Sequence, residues 1–176
     1  REFTTEWWYY NGRLVTREGR VYSFHYVIFD VRLQGVEPFN IYQMAITEPT
    51  SKTYASDQLL ARGTLQPPTA GGFRYASGNW LVEGVGGEDH LRVDAKGVGF
   101  DLRLEPGKPP AVHGGSGYLD FGRSAKTYYY SRTRMPATGT LTFNGAIAEV
   151  TGSVWFDHQW GNFQPLEGGW DWFAVQ

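Results

Sequence analysis

Polarity alternates with a period of two wherever a period can be read in this chain. In VYSFHYVIFDV (residues 21–31) successive side chains take opposite faces, and in GVGFDLRLE (residues 97–105) apolar residues oppose charged ones. This period is that of a β-strand. No segment of useful length repeats apolar residues at helical spacing, and YASDQLLARG (residues 54–63) is the one ambiguous stretch. The chain is therefore predicted to be all-β with little helix.

Turn sequences rich in glycine and proline, such as TREGR, PPTAGG and EPGKPP, separate the strand-like runs. About ten strands in an antiparallel meander are expected. A sheet of this size either closes into a barrel or splits into a sandwich, because open edges invite pairing with other chains. The simple hairpin spacing favours an up-and-down β-barrel, which can hold a small ligand. The runs lie near residues 7–16, 21–31, 41–48, 54–62, 78–84, 89–95, 97–105, 126–134, 138–143, 146–158 and 170–176.

Composition excludes several classes of function. The 176 residues suit one domain, and a net charge of -2 without any like-charge block lacks the electrostatic footprint of a nucleic-acid binder. The absence of cysteine excludes disulfides and thiolate metal sites. No run reaches the roughly 18 apolar residues of a spanning helix. The last residues, GGWDWFAVQ, form an aromatic run without a polar tail, and we expect the polypeptide to continue into a further domain.

The stretch SVWFDHQWGNF (residues 153–163) is the first candidate site. In a strand, Asp157 and Gln159 point to one side, whereas His158 and Trp160 point to the other. An imidazole beside an indole inside an apolar barrel could act as an acid next to an aromatic face that stabilises a cation. Alternatively, His158 hydrogen-bonds a carbonyl or a carboxylate and fixes the end of a strand.

Two further stretches carry unusual residues. Glu6 precedes four aromatic residues that favour core packing over a ligand cage, and a buried Glu6 would need a partner. HGG (residues 113–115) is similar to an oxyanion loop, but no nucleophile elbow accompanies it, which disfavours a serine hydrolase. The run 128–134, which includes Tyr129, lines either a cavity or the outer surface.

The four histidines, His25, His90, His113 and His158, show no H-x-H or H-E-x-x-H pairing, so no metal site is predicted. His90 lies in a polar register and is expected to be solvated.

Three stretches together resemble the AttH-like family, which is related to the carotenoid 1,2-hydratases. They are EWWYYNGRL, HGGSGY with TYYYSRTR, and VWFDHQWGNF with GWDWFAVQ. The resemblance spans almost the whole chain. It implies a lipocalin-like β-barrel over residues 1–176, the N-terminal one of two such barrels, and a periplasmic or secreted location. It also implies an apolar small molecule as ligand, with no nucleic-acid partner, no membrane span and no cofactor.

The resemblance further implies acid-catalysed hydration or cyclisation of an isoprenoid-like or polyketide-like molecule. In that scheme Asp157 or Asp171 would keep His158 charged, and His158 would protonate a double bond. Two positions depart from the family pattern: His25 replaces a frequent Gln, and Gln43 replaces a frequent His. The rival hypotheses are a non-catalytic carrier or structural barrel and a secreted hydrolase. The predicted catalytic residues are His158, Asp157 and Asp171, and the predicted ligand-binding residues are Glu6, Trp8, Tyr10, His25, Gln43, Tyr129, Trp160 and Trp170.

Overall fold

The computed structural model describes residues 3–66, 68–69, 71–122, 125–163 and 172–174. These residues form twelve β-strands and no helix, which confirms the all-β prediction. The strands are β1 (Thr5–Thr16), β2 (Val21–Val31), β3 (Phe39–Glu48), β4 (Thr53–Arg62), β5 (Phe73–Ser77), β6 (Trp80–Val85), β7 (Glu88–Ala95), β8 (Val98–Leu104), β9 (Ala111–Val112), β10 (Tyr118–Asp120), β11 (Ala125–Phe143) and β12 (Ala146–Phe163).

Ten of these strands form one antiparallel, nearly closed barrel in the order β4-β3-β2-β1-β12-β11-β8-β7-β6-β5. The first strand pairs with the last, from Thr5 opposite Gly161 to Thr16 opposite Val150. The short strands β9 and β10 pair with the first half of β11, whereas β8 pairs with its second half. The segment between β8 and β11 therefore runs along β11 where β8 is not its neighbour.

The strand bounds agree with several of the expected runs and differ from others. Residues 126–134 and 138–143 belong to one strand, β11, because a bulge between Arg132 and Met135 interrupts the alternation without ending the pairing. The ambiguous stretch at 54–63 is the edge strand β4, whose mostly exposed side chains leave no strict two-residue pattern. Strands β5, β9 and β10 were not expected, and the described residues 172–174 of the expected strand 170–176 lie outside any strand.

Aromatic side chains from opposite walls fill the barrel interior. Trp8 of β1 packs against Tyr75 of β5 with ring centroids 4.6 Å apart, and Tyr26 of β2 packs against Trp80 of β6 at 5.9 Å. Such large rings bury much apolar area, which is the main contribution to the stability of the barrel. The largest side chains that are less than 2 % exposed are Trp8, Tyr10, Tyr26, Tyr42, Phe156, Leu14, Ile28, Met44, Ile46, Leu91, Leu102 and Leu104.

Glycine lets β12 approach β1 closely at the curved wall of the barrel. A Cβ atom on Gly152 would lie 2.1 Å from the carbonyl oxygen of Arg13 on β1. No side chain fits at that distance, so this position requires glycine if the two strands are to keep their separation.

Candidate functional site

The imidazole of His158 lies on the inner face of the barrel within a polar and aromatic cluster. Its Nε2 is 2.9 Å from Oε1 of Glu6, and its Nδ1 is 3.3 Å from the hydroxyl of Tyr130. The ring stacks on Trp8 at 4.9 Å and lies 4.6 Å from the ring of Trp160. His158 is thus buried, paired with a carboxylate and surrounded by aromatic faces.

The partner of His158 corrects one part of the expected scheme. Asp157 and His158 are neighbours in β12, so their side chains take opposite faces and Asp157 cannot hold the imidazole charged. The carboxylate in contact with the imidazole is that of Glu6. Trp8 is directly opposite His158 in the β1–β12 register, and Glu6, two residues before Trp8, lies on the same face of β1.

A second buried polar cluster links three strands by hydrogen bonds across the barrel interior. Arg132 of β11 places Nη1 at 3.0 and 2.8 Å from the two carboxylate oxygens of Asp89 on β7. The hydroxyl of Tyr10 on β1 donates to the same carboxylate at 3.0 Å. Burial raises the pKa of Asp89, while Arg132 and the hydrogen bonds oppose that rise. Burial also raises the pKa of Tyr10 well above its usual range, so this phenol remains a donor.

On the outer face, Asp157 forms the centre of another polar cluster. Its Oδ1 accepts a hydrogen bond from the hydroxyl of Ser131 and another from Nε1 of Trp155 at 2.8 Å. Nε2 of His113 lies 2.7 Å from the same serine hydroxyl. Asp157 is 2 % exposed and Ser131 is fully buried although neither belongs to the apolar core.

The order of these groups does not fit a nucleophilic serine. In a hydrolase triad, a histidine stands between the serine and the carboxylate and removes the proton of the hydroxyl. Here Ser131 stands between His113 and Asp157 and donates a hydrogen bond to the carboxylate. The cluster therefore does not support the hydrolase hypothesis.

An apolar pocket of about 530 Å³ lies beside Asp157 on the outer face. Aromatic and aliphatic side chains of β1, β2 and the β9–β11 segment form its walls, and the side chains of Asp157 and Gln159 are its acidic and amide groups. A concave, mostly apolar surface with few polar groups is the usual form of a small-molecule site. The lining residues are Trp7, Tyr9, Val27, Phe29, Leu119, Phe121, Tyr129, Asp157, Gln159 and Trp172.

Tyr129 connects the pocket to the polar cluster. Its ring stacks on the imidazole of His113 with centroids 3.9 Å apart, and its hydroxyl accepts a hydrogen bond from Nε1 of Trp172 at 3.2 Å. Burial, together with the charge of Asp157, raises the pKa of Tyr129 to about 12. Tyr129 is thus neutral and lines a pocket on the outer face, whereas Tyr130 and Arg132 of the same strand lie on the inner face.

A smaller pocket of about 430 Å³ opens beside the inner cluster. Tyr130 and Trp160, which both contact His158, line it together with residues of the β9–β10 segment such as Val112 and Gly117. This pocket therefore touches the His158 cluster through Tyr130 and Trp160.

The other predicted site residues are separated. His25 lies on the outer face and lines a neighbouring pocket of about 490 Å³ with Tyr9, and burial lowers the pKa of its imidazole. Gln43 is opposite Val27 in the β2–β3 register and donates to Gln58 at 3.3 Å. Glu6, Trp8, Tyr10 and Trp160 are on the inner face, whereas Trp170 and Asp171 lie outside the described residues. The predicted set is thus divided between the two faces of one wall.

Sequence reasoning missed His113, Ser131, Trp155 and the apolar residues Trp7 and Phe29 as members of a site. The HGG loop was a signal, since a turn at Gly114 and Gly115 returns the chain toward β11. The pairing of Ala111 with Ser131, which brings His113 to the serine, could not be read from the sequence. His90, expected to be solvated, lies between Glu83 at 3.2 Å and Asp101 at 2.7 Å.

Within the described ranges, no group of three or more His, Cys, Asp and Glu side chains is arranged to hold a metal ion. The described part of the chain also contains no helix that is long and apolar enough to cross a membrane.

The fold is that of a lipocalin-like β-barrel. The AttH-like family model matches residues 1–176, and the chain belongs to this family. No curated protein matches the chain.

Two solved structures share the fold. An AttH protein from Nitrosomonas europaea is 24 % identical with a TM-score of 0.81, and the match covers 95 % of this chain and 54 % of that protein. Kievitone hydratase from Nectria haematococca is 16 % identical with a TM-score of 0.76, over 89 % of this chain and 48 % of the hydratase. The chain thus spans about half the length of each structure.

Proposed function

We propose that this barrel binds an apolar small molecule in the outer pocket and that Asp157 acts there as the acid of a cofactor-free hydration. The pocket itself is the observation that carries the proposal: aromatic and aliphatic walls surround one carboxyl group. An isoprenoid-like or polyketide-like molecule of modest size matches these walls.

The chemistry requires a proton donor and a surface that stabilises a cation. Protonated Asp157 would transfer its proton to one carbon of a substituted double bond and leave a tertiary cation on the other carbon. The faces of Trp7, Tyr9 and Tyr129 line the same pocket and would stabilise that cation. Water would then form the new C–O bond and return one proton to the carboxylate, so the acid is regenerated.

Membership of the AttH-like family and the shared fold with a hydratase support this reaction class. Since the chain matches about half of each solved relative, we also propose that a second barrel of the same polypeptide covers the outer face. Such a cover would exclude bulk water from the cation.

Binding can be tested with N-phenyl-1-naphthylamine, a neutral probe that fluoresces in apolar sites. Val27→Trp places an indole in the pocket and should weaken the binding of the probe at least about tenfold by steric exclusion. Val85→Trp, at a residue that is 60 % exposed on β6, is the matched control and should leave the affinity unchanged. Equal affinity in both variants would show that the probe binds elsewhere and would contradict the proposal that the outer pocket is the binding site.

Hydration can be tested with an apolar trisubstituted alkene in H₂¹⁸O, with mass spectrometry to detect the labelled alcohol. Asp157→Asn should abolish product formation yet retain binding of the probe. A wild-type protein that binds the probe and forms no alcohol from an alkene series would instead be a carrier, which would contradict the catalytic half of the proposal.

His158 is the second candidate for the acid, and the Glu6–His158–Tyr130 contacts favour it. Tyr130 lines the smaller pocket, so a proton could reach a ligand there through the phenol. His158→Gln and Asp157→Asn distinguish the two: the variant that loses turnover while keeping its fold identifies the acid. Loss of folding in His158→Gln with normal binding of the probe by the folded fraction would leave His158 a structural residue.

A further inference from the structure

Three side chains form a continuous series of hydrogen bonds that ends at Asp157, a residue of the outer pocket. His113 contacts Ser131 through Nε2 at 2.7 Å, and the hydroxyl of Ser131 donates to Oδ1 of Asp157. Neither His113 nor Ser131 is among the residues that line the pocket, so the hydrogen bonds reach Asp157 from outside the pocket lining. Ser131 is fully buried, and His113 is partly exposed.

The hydrogen-bond directions follow from the chemistry of the three groups. A carboxylate can only accept hydrogen bonds, so the single hydroxyl proton of Ser131 lies in its hydrogen bond to Asp157. The serine oxygen can then only accept from His113, which requires a proton on Nε2 of the imidazole. The hydrogen bond thereby fixes the tautomer of His113.

The loop geometry holds His113 in this position. Gly114 and Gly115 have φ values of 63° and 78°, a left-handed conformation that glycine adopts without strain. The turn that follows is closed by the amide of Gly117, which donates to the carbonyl oxygen of His113 at 2.7 Å. The imidazole also stacks on Tyr129, so its ring cannot rotate freely away from Ser131.

We infer that His113 and Ser131 form a proton relay that loads Asp157 from solvent while the pocket is occupied. The inference rests on the proposed role of Asp157 as an acid. In the loading step, the imidazolium of His113 gives its Nε2 proton to the oxygen of Ser131, and the serine gives its own proton to Oδ1 of Asp157. The products are a neutral imidazole with its proton on Nδ1, an unchanged serine and a neutral carboxylic acid, so charge and protons balance.

The other titratable groups that interact with Asp157 do not deliver protons to it in the neutral range. Burial, and secondarily the charge of Asp157, raises the pKa of Tyr9 on β1 and that of Tyr129 on β11. Both phenols therefore keep their protons in the neutral range. Trp155 donates to the carboxylate but does not titrate.

The tautomer of His113 can be measured by ¹⁵N NMR on histidine-labelled protein. Above its titration range, the wild-type imidazole should carry its proton on Nε2, and Ser131→Ala should lose this preference. Ser116→Ala, in the same loop, is the control and should leave the tautomer unchanged. A wild-type imidazole with its proton on Nδ1 would reverse the donor order and overturn the relay.

The link to Asp157 can be measured from its carboxyl ¹³C signal. In the wild type this signal should show a second titration step that coincides with the titration of His113. His113→Gln keeps a donor beside Ser131 but cannot titrate, so that step should disappear. A step that persists in His113→Gln would assign it to another group and overturn the relay.

Turnover separates this inference from the proposed function. With the alkene in H₂¹⁸O, Ser131→Ala should lower the maximal rate at least tenfold at an unchanged affinity for N-phenyl-1-naphthylamine. Unchanged turnover in Ser131→Ala would overturn the relay and leave Asp157 as the acid. A wild-type protein that neither binds the probe nor forms the alcohol would overturn the proposed function, whereas the tautomer and titration data would still decide whether the proton link exists.

Discussion

At the scale of single residues, strand alternation determines which groups can act together. It places His158 and Trp160 inside the barrel and Asp157 and Gln159 outside, and the sequence predicted that the two pairs take opposite sides. The Glu6–His158 pair, by contrast, joins residues 152 positions apart, and only the β1–β12 register brings them together. The faces could therefore be predicted, but the partners could not.

The partly buried imidazole of His25 predicts how the stability of the protein depends on pH. Burial lowers the pKa of its imidazole from the usual 6.5, so the unfolded chain binds a proton more readily than the folded one. Its contribution to stability is fully present above pH 6.5 and decreases as the pH falls toward the lowered pKa. His25→Gln should therefore weaken the loss of unfolding free energy between about pH 7.5 and about pH 5.5 in urea titrations. An identical pH dependence in the variant would contradict this cause.

At the scale of strands, departures from simple alternation mark where sequence reasoning failed. The bulge at Arg132–Met135 divides the pattern of β11 into two apparent strands. On the edge strand β4, Leu59 and Ala61 pack against the core, whereas Leu60 between them is 65 % exposed. An apolar residue on the solvent side masks the two-residue period, so residues 54–63 gave an ambiguous pattern. Regular, half-buried strands such as β7 and β8 were readable because one side packs in the core.

Gly152 allows the close approach of β12 to β1 to be tested. Gly152→Ala should destabilise the protein by about 2 to 4 kcal/mol, because its Cβ must displace the backbone of β1. Gly71→Ala is the control, since the atom nearest to a Cβ there is Thr69 Oγ1 at an ordinary 3.7 Å. Denaturant unfolding measures both variants, and similar free energies would show that the two strands separate at little cost.

At the scale of the whole molecule, a cluster of three polar side chains in the aromatic interior connects distant strands of the sheet. Asp89, Arg132 and Tyr10 belong to β7, β11 and β1, and Arg132 also lies 5.3 Å from the ring centre of Phe156. Alternation and turns were sufficient to predict a barrel. Which strands face each other across it depends on register and curvature, which the sequence does not display locally.

Arg132→Met tests this connection. The variant leaves Asp89 buried without its cation and should lose about 3 to 5 kcal/mol of stability. Without Arg132 the raised pKa of Asp89 rises further, so the native state retains a proton that the unfolded chain releases. The stability of the variant should therefore fall as the pH rises above about 4.

Urea unfolding at several pH values measures both effects. Arg103→Met, at an exposed arginine on β8, serves as the control. If Arg132→Met behaved like this control, the interior ion pair would contribute nothing to the fold.

The pairing of β1 with β12 also has a consequence for the order of events on the ribosome. Strands β1 to β4 can form hairpins in turn as they emerge, since each pairs with the next. The other edge of β1 gains its partner only when residue 161 has been synthesised. Until then the growing polypeptide carries an open, aromatic strand edge, which exposes the nascent chain to aggregation.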